Sequence, residues 1–551
     1  MAEGVTSRLP VSGHSGVRRL LVGLFFGLLI LVGSWLHQDY GISWDEPQQR
    51  LIGEVSERYV LETAFPFLGL SSRPVPDLHE FRDKDYGVVF ELPAVFAERL
   101  FNLRDTRDIY FFRHLLTFLV FVAGCYALYR MVALRFGDWR LGLLAVVLLV
   151  LSPRFFADAF YNSKDIVFMA AYVGAICSLL FFVVRPTVPM TIGHGLLSAI
   201  AIDVRIMAVI IPVTTLAVIV AKLLRGELTI VRGCVIAGVY LLATAMFAVL
   251  FFPYLWAAPL ENLITAFNNM SQFGRWGGTV LYFAEFIDGT QLPWHYAPVW
   301  IAITTPIPYV LLALLGMGLV IWRLLRARLS LWRDDRELQD LLVLFLLCAP
   351  ILAVIILQSV LYNGWRHLYF VYPALIWMMV HGWLLVWRLA ADRRPARWLL
   401  IASLAVTLVW NVQWMVRAHP LQNVYFNLLA GSGDLRHRFE LDYWGLANRQ
   451  ALEFILAYDA SDRIAVVPGS FTPLFYSLML LQREDRARLD IPHRFGPRTT
   501  DGPHYVIDNY QFWQRHYNPD RFAEGYRLVH QLTVNGEIVL SILHTDGLSD
   551  R

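Results

Sequence analysis

Apolar residues in this chain run in long unbroken blocks, not in the stripes of a soluble helix or the alternation of a half-buried strand. Blocks lie at roughly 18–37, 112–134, 139–153, 166–185, 191–204, 206–223, 232–252, 298–322, 339–361, 367–389 and 397–416. Most approach the ~20 residues that cross a hydrocarbon layer as a helix, so the pattern predicts about eleven transmembrane helices. The pair around 191–223 is short, and Asp203 and Arg205 at its junction suit a tight turn at the membrane surface. Arg18 and Arg19 precede the first block and no small-residue cleavage site follows it, so it reads as a retained signal anchor.

Polar positions complete the topology. Arg130, Arg135 and Arg140 flank one inter-block loop, and Lys222, Arg225 and Arg232 another. Arg323, Arg326, Arg328, Arg333 and Arg336 crowd a third, and Arg388, Arg393, Arg394 and Arg397 a fourth. With eleven spans all four fall on the amino-terminal side. The positive-inside rule then predicts a multi-pass protein of the cell (inner) membrane, with a cytoplasmic amino terminus and an extracytoplasmic carboxyl-terminal segment.

Residues 1–417 therefore form one transmembrane domain, with long outer loops at 38–111 and 253–297. In the first loop a helix over 91–103 would lay Leu92, Phe96, Leu100 and Leu103 on one face, as a helix resting on the bilayer would. Residues 418–551 read as a small soluble α/β domain. It has a helix over 444–457, a strand at Ile464–Val467, a helix over 472–482, a strand at His504–Ile507, and a hairpin from Tyr526–Val534 to Glu537–Leu543 around Asn535-Gly536.

Composition agrees with this class: 57% of the 551 residues are hydrophobic and 17% charged. A net charge of +3, with cations confined to short loops, leaves no nucleic-acid footprint. Cys125, Cys177, Cys234 and Cys348 each sit in an apolar block without CxxC spacing, so a disulfide framework or thiolate metal site is not expected.

Three constellations could carry chemistry on the outer side. Trp44-Asp45-Glu46-Pro47 follows the first span, where adjacent carboxylates serve as a general base, hold a divalent cation, or cap a helix. Asn162-Ser163-Lys164-Asp165 precedes the fourth. Asp165 suits a helix start, but Lys164 opposes the helix dipole there unless an anion such as phosphate is near. Tyr362-Asn363-Gly364-Trp365-Arg366-His367 precedes the tenth, where Arg366 and His367 either snorkel to lipid headgroups or bind a phosphate. Arg205 is a further phosphate candidate. The loop residues Trp256, Asn268, Asn269, Gln272, Phe273, Trp276, Trp294, His295 and Tyr296 suit either an interfacial aromatic belt or sugar stacking.

Together these features resemble the GT-C superfamily of polyprenol-phosphate-sugar-dependent glycosyltransferases, nearest to its protein O-mannosyltransferase and aminoarabinose-transferase families. The resemblance covers roughly residues 18–417. It rests on the span count, the long first outer loop, Asp45-Glu46, the stretch from Ser152-Pro153 to Asp165, and Arg366-His367 with Tyr372-Pro373. Bacterial members carry tails like that at 418–551. The resemblance implies a hexosyl- or pentosyltransferase. It places catalysis on Asp45, with Glu46 beside it and Asp165 as the second acid. A lipid-phosphate leaving group needs cations, so Lys164, Arg366 and His367 are the substrate-binding candidates, with Arg205 in reserve and Tyr362 in the same loop. The implied partners are a polyprenyl-phosphate sugar donor, an acceptor (lipid, glycan or protein) and membrane lipids. A divalent cation is a candidate cofactor, although no spacing demands one. The alternatives are a transporter or flippase of a lipid-linked sugar, and a sensor or scaffold with an outer binding domain.

Overall fold

A computed structural model describes residues 15–69, 74–271, 276–327, 331–431, 433–492, 504–511 and 525–545. The helices are α1 (Ser15–Leu36), α2 (Glu46–Thr63), α3 (Glu91–Leu100), α4 (Thr106–Phe136), α5 (Trp139–Val150), α6 (Pro153–Tyr161), α7 (Asp165–Val184), α8 (Val188–Val204), α9 (Ile210–Leu224), α10 (Ile230–Phe251), α11 (Pro259–Ser271), α12 (Tyr296–Thr304), α13 (Ile307–Ala327), α14 (Asp335–Ile356), α15 (Tyr372–Leu389), α16 (Arg394–Ala418) and α17 (Ala447–Tyr458). Nine helical stretches among the described residues are long and apolar enough to cross a membrane. They are α1, α4, α7, α9 with its preceding turn, α10, α13, α14, α15 with its preceding turn, and α16.

The expected count of eleven is reached only by adding two irregular pieces. The block at 139–153 is the first half of a bent pair, α5 and α6, which meet at 75°. The bend has a local cause. Pro153 has no N–H to continue α5 and drives Ser152 into an extended conformation. The block at 191–204 lies in α8, an apolar helix of 17 residues. The apolar stretch expected at 298–322 is also divided, by an extended Thr305 between α12 and α13.

The bundle is centred on α7, which is almost wholly buried, while α1 and α16 expose most of their surface. The basic loops gather at one end. Lys222 Nζ lies 3.0 Å from Asp335, and the Arg225 guanidinium donates to the Trp332 carbonyl at 3.0 Å. Arg135 Nε donates to Asp340 at 2.8 Å, and Arg323 faces Arg135, Asp340 and Arg388. The long loops and the carboxyl-terminal segment occupy the opposite end.

There α3 packs differently from the expectation. Glu91, Ala94, Val95 and Glu98 turn inward, and Leu100 is exposed. The reason is electrostatic. Buried Arg113 pairs with Glu91, and with Glu98 at 2.8 Å; Arg50 holds Glu98 at 2.9 Å, so a carboxylate face becomes the packed one.

The carboxyl-terminal segment contains a five-stranded sheet of order β4-β3-β5-β7-β6, next to a short hairpin, β1 (Thr279–Tyr282) with β2 (Glu285–Asp288), in the preceding long loop. Its strands are β3 (Ile464–Pro468), β4 (Leu489–Asp490), β5 (His504–Asp508), β6 (Arg527–Val534) and β7 (Glu537–Thr545). β3 runs parallel to β4 and β5, and β7 antiparallel to β5 and β6. The β6–β7 turn falls on Asn535 and Gly536, both at positive φ. Only residues 474–477 of the expected 472–482 helix are α-helical, followed by a 3₁₀ turn.

This segment is docked on the first long loop. Arg449 donates to the Tyr40 carbonyl at 2.9 Å, Arg486 pairs with Asp105 at 2.6 Å, and Phe471 meets the edge of Trp44.

Candidate functional site

The start of α2 does not use its acids as helix caps. Asp45 occupies the N-cap position, yet its carboxylate accepts no backbone N–H. Asp45 Oδ2 instead accepts from Arg366 Nη1 at 2.8 Å. Glu46 faces the other way. It accepts the Ser43 N–H at 2.8 Å and lies 3.1 Å from His114 Nε2, with both side chains buried. The structure therefore separates the two neighbours, sending Asp45 to the cation and Glu46 into the packing beneath the loop.

Asp165 at the start of α7 behaves similarly. Its own N–H is capped by Asn162 Oδ1 at 2.8 Å, which frees its carboxylate. That carboxylate takes Arg366 Nη1 at 3.1 Å and pairs with Arg205. One nitrogen of a buried arginine thus bridges two carboxylates drawn from the first loop and α7. Asp45 is the accessible member of the set, its side chain 30% exposed against 2% for Arg366 and 1% for Asp165.

Arg366 is aimed by the turn before it. Asn363 and Gly364 are both left-handed, with φ of 56° and 68°, which reverses the chain into Trp365-Arg366. Its guanidinium stacks 4.7 Å from the Trp444 ring and 4.9 Å from Tyr362. Trp444 donates from Nε1 to Asp158 at 3.0 Å, so the carboxyl-terminal segment supplies one wall of the site. Tyr362 stacks on Trp276 at 4.4 Å and meets His367 edge-on. Burial pushes the Tyr362 hydroxyl up, although the Arg366 cation opposes this.

The cations open into a cavity of about 360 Å³. Lys164, Arg205, Arg366, His367 and Tyr362 line its polar end. Ile206, Met207, Ile210, Phe252, Met270, Ala353, Val354 and Leu357 make much of the remaining wall apolar, and Asp85, Tyr86 and Asp203 line another part of it. Arg366 Nε, Arg205 Nε and His367 Nδ1 are buried and have no hydrogen-bond partner among the described residues, an arrangement that favours an anion. Lys164 Nζ sits 3.8 Å over the Tyr86 ring. Burial, reinforced by the Arg205 cation, pushes its ammonium below the ordinary lysine range, and an anion would reverse that. Asp45 does not line this cavity, so Arg366 stands between the cavity and the opening that Asp45 faces.

The other aromatic-loop candidates are dispersed. Trp256 donates to the Val249 carbonyl at 2.8 Å, Asn269 to Asp85 at 2.8 Å, and Tyr282 and His295 lie 2.8 Å apart. Trp294 is 70% exposed and Tyr296 is buried. Gln272 and Phe273 lie outside the described residues. Among the described residues no group of three or more His, Cys, Asp or Glu side chains is placed to hold a metal; the site acids are matched by arginines.

Residues that the sequence did not single out for this site are Trp444, Asp158, Tyr86 and Glu440. Glu440 is fully buried, accepts from Gln511 Nε2 at 3.0 Å, and faces the backbone N–H groups of Gly364 and Asn363. Burial pushes its carboxyl from 4.5 up to about 7, against those hydrogen bonds and the Arg366 cation. A raised acid costs folding stability as pH climbs, because the unfolded chain releases the proton first. The cost grows between about pH 4.5 and 7 and then levels off. Glu440→Gln lacks this ionisation. Its melting midpoint in detergent should therefore rise relative to wild type across that window, by the equivalent of about 3 kcal/mol. A wild-type-to-variant difference that is flat from pH 5 to 8 would show that Glu440 ionises freely.

No family model matches the chain, and no curated protein matches it. Among solved structures it is similar to the Archaeoglobus fulgidus oligosaccharyltransferase in complex with Zn and sulfate, at 12% identity and a TM-score of 0.48. That match covers 89% of this chain and 68% of the other.

Proposed function

We propose that this protein is a membrane glycosyltransferase that moves one sugar from a polyprenyl-phosphate donor to an acceptor hydroxyl at the extracytoplasmic face. The observation that carries the reading is the position of Arg366. It binds the partly exposed acid Asp45 on one side and caps the polar end of a largely apolar cavity on the other. The apolar walls suit an isoprenoid chain, and the unpaired guanidinium and imidazole nitrogens suit its phosphate.

In this reading the acceptor approaches Asp45 from its exposed side. Asp45 takes the hydroxyl proton while the oxygen attacks the anomeric carbon. The bond from that carbon to the phosphate oxygen breaks, through an oxocarbenium-like centre. Its electron pair stays on the lipid phosphate, where Arg366, Arg205, Lys164 and His367 stabilise the added charge. Single displacement inverts the anomeric carbon. Asp165 is a positioning residue that fixes Arg366 and Arg205. The four basic loops at the opposite end support a cytoplasmic amino terminus by the positive-inside rule.

The direct test is mass spectrometry of lipids that copurify with the full chain, followed by transfer assays with undecaprenyl-phosphate sugars and radiolabelled candidate acceptors. A bound isoprenoid phosphate and an inverted product are expected. Neither binding nor turnover across a panel of donor sugars would end the proposal.

A further inference from the structure

The cavity has a second polar wall that the phosphate site does not use. It is made by Asp203 at the end of α8 and by Asp85 and Tyr86 of the first long loop. Asp203 is 2% exposed. Its Oδ1 accepts the Val89 N–H at 2.7 Å and the Val88 N–H faces the same carboxylate, while Oδ2 is buried and has no hydrogen-bond partner among the described residues. The loop is locked against it. Gly87 passes so close that a Cβ there would sit 1.7 Å from the Asp203 carbonyl oxygen. Only glycine permits that approach, and the approach keeps residues 85–87 on the cavity wall. Asp85 is 5% exposed and held by Asn269 at 2.8 Å.

Other buried acids of this end are closed or remote. Glu98 is shared by Arg50 and Arg113. Asp158 also leaves an oxygen without a partner among the described residues but does not reach the cavity. Asp203 alone among these three combines full burial, an unpaired carboxylate oxygen and a place in the cavity wall. A buried acceptor with nothing to accept is costly, and it is satisfied by a ligand that brings its own donor.

Asp203 is two residues from Arg205, at most about 7 Å along the chain. A sugar ring held through its phosphate at Arg205 spans that interval. We infer that Asp203, backed by Asp85, is the donor-sugar subsite, accepting hydrogen bonds from ring hydroxyls of the transferred sugar and so selecting which sugar is moved. The inference rests on the transferase reading above and adds to it the site of sugar discrimination. It assigns Asp203 to recognition and leaves proton transfer to Asp45.

The test compares the affinity of the full chain for undecaprenyl phosphate alone with that for the same lipid carrying glucose, galactose, mannose or arabinose. In the wild type one sugar-bearing lipid should bind roughly 10- to 100-fold more tightly than the bare phosphate. Asp203→Asn should remove most of that increment and leave affinity for bare undecaprenyl phosphate unchanged, whereas Arg205→Ala weakens both. Deoxy analogues of the preferred donor make the test independent of the variant's folding. Loss of one hydroxyl should cost the wild type the same factor. A full sugar increment in Asp203→Asn, or equal binding of every deoxy analogue by the wild type, overturns the subsite. So does a wild type that gains nothing from any sugar while it still binds the bare lipid, and in that case the phosphate site survives. Failure to bind the bare lipid at all overturns the transferase reading, and the subsite with it.

Discussion

Arg366→Ala is expected to lower transfer from a polyprenyl-phosphate sugar by roughly a thousandfold, as removal of a preorganised transition-state donor does elsewhere. Two losses combine. In the proposed reaction the leaving phosphate loses one of its cations, and Asp45 loses the donor that fixes its carboxylate at 2.8 Å. Asp165 keeps Arg205, so the remaining buried charge is not wholly stranded. The melting midpoint should still fall, because removing one partner from a buried pair typically costs about 3–5 kcal/mol. Arg366→Lys separates charge from geometry. An ammonium restores the charge but cannot bridge two carboxylates while lying flat between Trp444 and Tyr362, so activity should recover only in part. Initial rates at limiting donor, measured on variants whose melting curves show a folded protein, decide the matter. Wild-type donor dependence in Arg366→Ala would remove the phosphate role from this residue.

Topology was legible in the sequence because the hydrocarbon layer imposes a local rule on each block, independent of the block's neighbours. That rule placed the spans and put the four basic loops at one end. It said little about breaks within a block, although Ser152-Pro153 carried the signal for the α5–α6 bend in a proline that lacks an amide proton. The site was legible only as separate pieces. Asp45 and Arg366 are 321 positions apart, and nothing in either motif states that they meet. Asp45-Glu46 shows the limit most clearly. Two adjacent acids look equivalent in sequence, and only the approach of His114 from α4 and Arg366 from the turn before the tenth block assigns them opposite directions. Trp444 was hidden for the same reason. An aromatic ring becomes a wall for a guanidinium only when the carboxyl-terminal segment folds back over the bundle, and its Asp442-Tyr443-Trp444-Gly445 stretch reads equally well as structural.

Asp45→Asn should preserve the fold and cripple turnover. The asparagine Oδ1 still accepts from Arg366 Nη1, so the bridge to Asp165 survives and the melting midpoint should move little. The amide cannot take a proton, so the acceptor hydroxyl must attack unassisted. A fall in turnover of roughly a hundred- to ten-thousandfold is expected, the usual contribution of a positioned general base. Donor affinity should stay near wild type, because the cavity cations are untouched and Asp45 lies outside the cavity wall. Glu46→Gln is the matched control. Glu46 lies 3.1 Å from His114 and is sealed from solvent, so its loss should lower the melting midpoint while the folded enzyme keeps its rate per molecule. The pair of variants therefore separates catalysis from packing at adjacent positions. If Asp45→Asn keeps full turnover while Glu46→Gln loses it, the proton acceptor has been assigned to the wrong neighbour, and the exposed side of Asp45 is not where the acceptor binds.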